Sequence, residues 1–405
     1  MINKFIEGGV CAAKGFVANG IHCGIRKNKT KKDLALIYSE VDATTASVYT
    51  TNLVKGAPIT VTKKNIENGV ARAIICNSGN ANTCNFDGIE KAERMCEVTA
   101  DALGIAREDV VVASTGVIGM PLDVAPIENG MAELVAGLGK HSDFAANAIM
   151  TTDTKMKEIA VEFEVGGVVC RMGGIAKGSG MIHPNMATML VFITTDCGIS
   201  QKMLKKALGE DVKNSFNMVS VDGDTSTNDM VTVMANGMAG NKMIDCEGEE
   251  FDEFKAALAT VTINLCRMIA GDGEGATKLL ECAVVGAKTL KDAKIAAKSV
   301  ICSSLVKAAM FGADANWGRV LCALGYSGAD IDVTKVDVAF SSKKGSVVVC
   351  QNGSGVEFSE EKAKEVLLEN EVFINVSLND GEYDATAWGC DLTYDYVKIN
   401  GDYRT

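Results

Sequence analysis

Histidine is almost missing from this chain: its 405 residues contain three, His22, His141 and His183. That scarcity weighs against a Ser-His-Asp device and against a zinc site, which needs His and Cys clustered at ligand spacing. No G-x-S-x-G elbow is present. In GGIAKGSG, Lys177 stands ahead of Gly178, so the phosphate-loop order G-x-x-x-x-G-K-[ST] is not met, and GDGEGA lacks the G-x-G-x-x-G spacing. Proline is nearly as sparse, with four residues, so no Pro/Ser-rich linker marks a domain boundary. No apolar run approaches the roughly 18 residues of a membrane span. The opening MINKFIEGGV has no apolar signal-peptide stretch, so a cytoplasmic location is expected. The 14 cysteines form no C-x-x-C pair. Most lie in apolar runs such as ARAIIC and GSVVVC, which suits reduced, buried thiols in a cytosolic protein. These and the 18 methionines are expected to pack the core, not to serve redox work or a cofactor. The net charge of −12 opposes binding to a polyanion, so the densest basic run, Arg26–Lys32 (RKNKTKK), reads as a solvated loop and nucleic acid is not an expected partner.

What the chain does have is length, glycine and alternating short apolar runs. At 405 residues it exceeds the usual single core, and 47% hydrophobic with 23% charged residues is a globular balance. Strands are predicted at LALIYSEVDA, ASVYTTNLV, ARAIICNSGNAN, EDVVVASTGVIGM, IAVEFEV, VVCRMGGIAKGSG, ATMLVFITTD and KLLECAVVGA, then at VDVAFS, GSVVVCQNG, VFINVSLN and TYDYVKIN. Helical spacing covers Gly88 to Leu103, Val124 to Leu138, Ser200 to Phe216, Glu250 to Ala270, Leu290 to Phe311 and Glu360 to Glu369. Strands and helices do not alternate strictly, so an α+β layered architecture is expected, with a domain of 1–281 followed by a smaller one of 282–405.

Two stretches invite chemistry. The aspartates of SVDGDTSTND, Asp222, Asp224 and Asp229, lack EF-hand spacing, and a capped turn is the better reading than a cation site, so no metal is expected. Thr188 is the other. A threonine hydroxyl is a weak nucleophile until a base adjoins it, and a threonine at a chain terminus carries that base as its own α-amine. Such an amine titrates at about 7.7–8.0. Attack of the Thr188 hydroxyl on the Ala187 carbonyl, followed by hydrolysis of the ester, would create that terminus. Ala187 is small, Gly178 and Gly180 permit a constrained backbone, and Thr188 opens the apolar strand MLVFIT. A threonine opening a strand is ordinary, so these features alone do not single it out.

The segment KGSGMIHPNMATML, Lys177–Leu190, resembles the cleavage segment of the ornithine acetyltransferases, also called glutamate N-acetyltransferases. GGVCAAKGF, NSGNAN, STGVIG, MTTDT, SVDGDTSTND, GDGEGATK, DANWGR and the closing NGDYRT resemble further family motifs in the same order. The resemblance implies an αββα sandwich like that of self-processing aminopeptidases, followed by a smaller αβ domain. It implies a cut at Ala187–Thr188 into an α chain, 1–187, and a β chain starting at 188, assembled as a heterotetramer of two α and two β chains. Acetyl would pass from N2-acetylornithine to Thr188 and then to glutamate, with no cofactor. Some members also accept acetyl-CoA, and a related scaffold serves N-terminal-nucleophile aminopeptidases and amidases. By position, Thr115 and Gly116 match the oxyanion pair. Thr151, Lys177, Thr188, Glu274, Asn400 and Thr405 match substrate contacts, with Thr152 a close rival to Thr151. The tail is thus expected to lie across the site. His183 matches no required role and reads as a loop histidine packed nearby.

Overall fold

The computed structural model describes residues 3–183 and 189–401, so the expected scissile pair Ala187 and Thr188 and the tail residue Thr405 lie outside the described residues. The first half runs β1 (Lys4–Ile6), β2 (Phe16–Ile21), β3 (Leu34–Tyr49), α1 (Ala57–Asn65), β4 (Val70–Asn80), α2 (Gly88–Leu103), β5 (Val110–Val117), α3 (Ala125–Ala136), α4 (Ser142–Ile149), β6 (Lys157–Val165) and β7 (Val168–Lys177). Next come β8 (Leu190–Thr195), α5 (Gln201–Asp211), β9 (Val219–Ser220), β10 (Met230–Ala235) and α6 (Glu249–Ala270). The remainder is β11 (Leu279–Ala287), α7 (Leu290–Cys302), α8 (Ser304–Phe311), α9 (Trp317–Gly325), β12 (Asp337–Ser342), β13 (Gly345–Gln351), β14 (Ser354–Gly355), α10 (Glu360–Leu367), β15 (Glu371–Ser377), β16 (Tyr383–Cys390) and α11 (Tyr394–Gly401).

Local chemistry accounts for many of these boundaries. α2 buries Ala92, Met95, Cys96, Thr99 and Ala100 on one face and stops at Gly104, whose φ of 65° favours glycine. Three expectations are corrected. The two predicted strands of 34–54 are one strand, β3, because its irregular middle between Tyr38 and Ala43 lets the same edge pair first with β2 and then with β10. The predicted helix Leu290 to Phe311 is two, because Ser303 adopts an extended conformation and its hydroxyl caps α8 by accepting the Val306 N–H. TYDYVKIN is a helix, α11: β16 ends at Cys390, Asp391 turns back to accept the N–H groups of Thr277 and Lys278, and Thr393 bonds the Gly275 carbonyl, so the segment has no ladder to join.

The architecture is α+β, as expected, with two sheets and helical layers. A nine-stranded sheet runs β1-β6-β7-β8-β10-β3-β4-β5, with β2 also on β3, and a seven-stranded sheet runs β14-β13-β12-β15-β11-β16-β9. α4 packs on one face of the first sheet, and α6 lies between the two sheets. α6 packs on β6 and β7, while its Arg267 pairs with Glu281 of β11 and Glu371 of β15. One buried cluster runs from Val161 and Val231 through Leu258 and Leu265 to Cys282 and Ile374. The sequence boundary at 281/282 falls inside β11. Among the described residues no helix is long and apolar enough to cross a membrane.

Candidate active site

Strand ends and loops at one end of the first sheet enclose a cavity of about 340 Å³. Thr115, Gly116, Thr151, Lys177, Glu274 and Asn400 all line it, and so does Thr152. They come from the end of β5, the loop after α4, the end of β7, the turn after α6, and α11. Of the expected site residues, only Ala187, Thr188 and Thr405 are not among those this geometry describes.

One wall is neutral and built on backbone. Gly116 has φ of 131°, and a Cβ there would run into the backbone of Gly79 and Asn80, so only glycine fits. The side chains of NSGNAN hold the loop that carries it. Asn77 accepts from the Ser114 hydroxyl (2.6 Å) and donates to the Asn80 carbonyl (3.0 Å). Asn80 in turn donates to the carbonyls of Met120 and Pro121. Behind them Asn228, itself lining the cavity, donates to the carbonyls of Ala81 (2.6 Å) and Ser114 (2.9 Å) and accepts from the hydroxyls of Thr83 and Thr227. Every polar atom of this amide is used, which fixes the backbone that an oxyanion would meet.

The other wall is charged. Lys177 and Glu274 are each 8% exposed and both face the cavity. Among the described residues neither has an ion-pair partner; Glu274 accepts one hydrogen bond, from Asn400 Nδ2 at 2.7 Å. Gly180 makes room for it, since a Cβ there would strike the Glu274 carboxylate. A buried ammonium and a buried carboxylate on one small cavity suit a ligand that carries both a carboxylate and an amine.

Beneath this wall lies a buried triad. Lys157 is 1% exposed and donates to Asp153 Oδ1 (2.7 Å) and Asp272 Oδ2 (2.6 Å). Asp153 also accepts from the N–H of Thr151 (2.9 Å) and of Gly178 (2.7 Å). Asp272 accepts from the N–H of Thr154 (3.0 Å), and its carbonyl accepts from the Ser179 hydroxyl (2.7 Å). The triad thus joins the Thr151 loop, the turn after Lys177 and the turn that carries Glu274. Burial alone would raise the Asp153 carboxyl, but the charges of Lys157 and Lys177 outweigh it and hold it well below the carboxylate range. Sequence reading passed over Lys157, Asp153, Asp272 and Asn228. The signal was a lone lysine opening an apolar strand, set between the motifs MTTDT and GDGEG.

Gly180 and Met181 line the same cavity, and β8 begins beside Lys177. β8 enters the sheet between Lys177 of β7 and Met230 of β10, and the Met230 N–H donates to the Met189 carbonyl (2.9 Å). On the other side Asp222 accepts from the N–H groups of Met181 (2.6 Å), Ile182 (2.9 Å) and Asp224 (3.2 Å), the turn-capping role preferred for it in the sequence. His183 Nδ1 faces Ser220 Oγ (3.1 Å) and Cys302 Sγ (3.5 Å), neither of which lines the cavity. Burial, assisted by the charge of Lys298, lowers its pKa to about 4, so the ring is neutral at working pH.

The ArgJ family model matches residues 17–405. An arginine biosynthesis bifunctional protein ArgJ from Caldanaerobacter subterraneus subsp. tengcongensis is 54% identical over 404 residues, 99% of this chain and 100% of that one. The protein of the same name from Symbiobacterium thermophilum is 52% identical over 405 residues, again 99% of this chain and 100% of the relative. A solved arginine biosynthesis bifunctional protein argJ from Bacillus halodurans is 46% identical and superposes with a TM-score of 0.51, covering 53% of this chain and 100% of the solved one. Matched from residue 17 to its final residue, and more than half identical to relatives along their whole length, the chain belongs to the ArgJ family.

Proposed function

We propose that this chain is an acetyltransferase of arginine biosynthesis that moves acetyl from N2-acetylornithine to glutamate through a covalent acetyl-Thr188. The Thr188 hydroxyl first attacks the Ala187 carbonyl. The resulting ester is hydrolysed, and Thr188 is left with a free α-amine. That amine takes the hydroxyl proton as Thr188 attacks the acetyl carbonyl. The Thr115–Gly116 backbone stabilises the oxyanion, and the proton leaves with the ornithine α-amine. Glutamate's amine then takes the acetyl group and frees Thr188. Lys177 pairs with the substrate carboxylate, and Glu274, held by Asn400, pairs with the side-chain amine of ornithine. Thr151 and the tail residue Thr405 complete the substrate wall.

The convergence of Thr115, Gly116, Thr151, Lys177, Glu274 and Asn400 on one cavity, which Gly180 and Met181 of the segment Lys177–Leu190 also line, carries this reading. The extent of the solved relative supports the cut: it matches over its full length yet spans 53% of this chain, while residues 188–405 make up about 54%. We further propose that the two chains assemble as a cytoplasmic heterotetramer. The relatives are named bifunctional, which favours acetyl-CoA as a second acetyl donor. Incubating purified protein with acetylornithine, with and without glutamate, tests the reaction. Ornithine and N-acetylglutamate are expected together; acetate released at the same rate without glutamate would replace transfer by hydrolysis.

A further inference from the structure

The acetyl group that moves in this reaction has three ends to place. Its oxygen goes to the Thr115–Gly116 backbone. The amine that it leaves or joins extends towards Lys177 and Glu274. What remains is the methyl, an apolar end common to both half-reactions. Burial stabilises a methyl only against apolar surface, so its place is where the lining is carbon. Among the described residues that line the cavity, the apolar side chains larger than glycine are those of Ala81, Val117, Ile118 and Met181.

Ala81 and Val117 are fixed beside the oxyanion backbone. Val117 follows Gly116, and Ala81 follows Asn80, whose nitrogen would lie 2.6 Å from a Cβ on Gly116. Ala81 donates its N–H to the Val117 carbonyl (2.9 Å). Its own carbonyl accepts from Asn228 Nδ2 (2.6 Å) and Thr83 Oγ1 (3.2 Å). With both backbone groups engaged, Ala81 offers the cavity carbon. Ala81 is 2% exposed, yet neither it nor Val117 belongs to any of the three buried apolar clusters. Their apolar surface is therefore not spent on a core and is left for a ligand. Ile118 and Met181, 40% and 41% exposed, form the outer rim of the same lining. One extra methylene in a closed apolar pocket changes kcat/KM by about 10- to 200-fold, so a pocket of this kind can tell one short acyl group from the next.

We propose that Ala81 and Val117 form the acyl pocket, which takes the acetyl methyl, and that Val117 is the specificity residue setting the length of acyl group the enzyme moves. One pocket serves both half-reactions, because the acyl group stays on Thr188 while ornithine leaves and glutamate arrives. This rests on the transfer reaction proposed above, and the experiment keeps the two apart. With glutamate present, kcat/KM for ornithine release is measured on N2-acetyl-, N2-propionyl- and N2-butyrylornithine. Wild type is expected to fall about tenfold or more from acetyl to propionyl, and further to butyryl. Val117→Ala is expected to narrow the acetyl-to-propionyl ratio by about tenfold. Val117→Thr, which keeps the size of the side chain, is expected to leave that ratio as in wild type. A merely structural role would lower all three donors by one factor. An unchanged ratio in Val117→Ala, or an equal narrowing in Val117→Thr, overturns the assignment. Should Val117→Ala not fold, the wild-type series still decides, since equal use of the three donors overturns the pocket. Wild-type protein that releases no ornithine from acetylornithine would overturn the transfer reading itself, and this assignment with it.

Discussion

The two walls of the cavity solve one problem, rigidity beside a ligand, with different chemistry. The neutral wall is held by asparagine amides bonded to neighbouring carbonyls and hydroxyls, so its rigidity needs no formal charge. The charged wall sets Lys177 and Glu274 facing the cavity and holds the loops beneath them with the ion triad of Asp153, Lys157 and Asp272. A transition-state oxygen needs fixed donors, whereas a zwitterionic substrate needs charged groups turned towards it. The split keeps the two demands apart.

Breaking what both walls serve should have the largest effect. Thr188→Ala is expected to migrate as one uncut chain on a denaturing gel and to lose activity by about three orders of magnitude or more. Two fragments from that variant would remove Thr188 as nucleophile. On the charged wall, Lys157→Met strands two buried carboxylates and should lower unfolding free energy by about 3–5 kcal/mol. On the neutral wall, Asn228→Ala frees buried carbonyls and should cost about 1–3 kcal/mol. Urea titrations that reverse this order would show the neutral network to be the stronger brace. Gly116→Ala forces a side chain onto a φ of 131° and displaces the Gly79 contact; turnover should fall about a hundredfold or more if Thr115–Gly116 is the oxyanion site. Turnover within a few-fold of wild type would move that role elsewhere.

The smallest effect is one of pH. The folded-state pKa of His183 is about 4, below its ordinary 6.5, so on acidification the unfolded chain takes up a proton before the folded one does. The contribution of the neutral ring is complete above 6.5 and is lost as pH falls towards 4. The advantage of wild type over His183→Asn in melting temperature should shrink across that window. Asp153 has the opposite protection: its depressed carboxyl keeps its contribution until pH drops below the ordinary carboxylate range, so the triad stays intact throughout. A difference between the two proteins that does not vary with pH would mean that His183 is not held neutral.

Most strands were legible because β-branched runs such as AVEF and VVVA alternate or stay apolar between glycines, and α2 was legible to its last residue because Gly104 marks its stop. α11 was misread because Tyr, Val and Ile carry a strand signature, while its helical state depends on Asp391 and Thr393 tying the chain to residues more than a hundred positions away. The single helix expected over Leu290 to Phe311 failed at Ser303, a residue equally at home inside an alanine-rich pattern or capping a new helix. Site positions emerged because the motifs place them by order along the chain. The triad did not, since a lysine at the start of a strand looks like an exposed one until the sheet and two loops close over it.

The position of residues 187 and 188 between β7 and β8 has a consequence for how a cut protein holds together. The two strands are antiparallel neighbours paired from Met172 with Thr195 to Lys177 with Leu190, so a nick in the sequence between them would leave the ladder to be shared by two polypeptides. In a cleaved protein, unfolding would no longer be an event within one molecule. The denatured fragments would diffuse apart, recovery would be bimolecular, and persistence at high dilution would be set by how slowly the folded form opens.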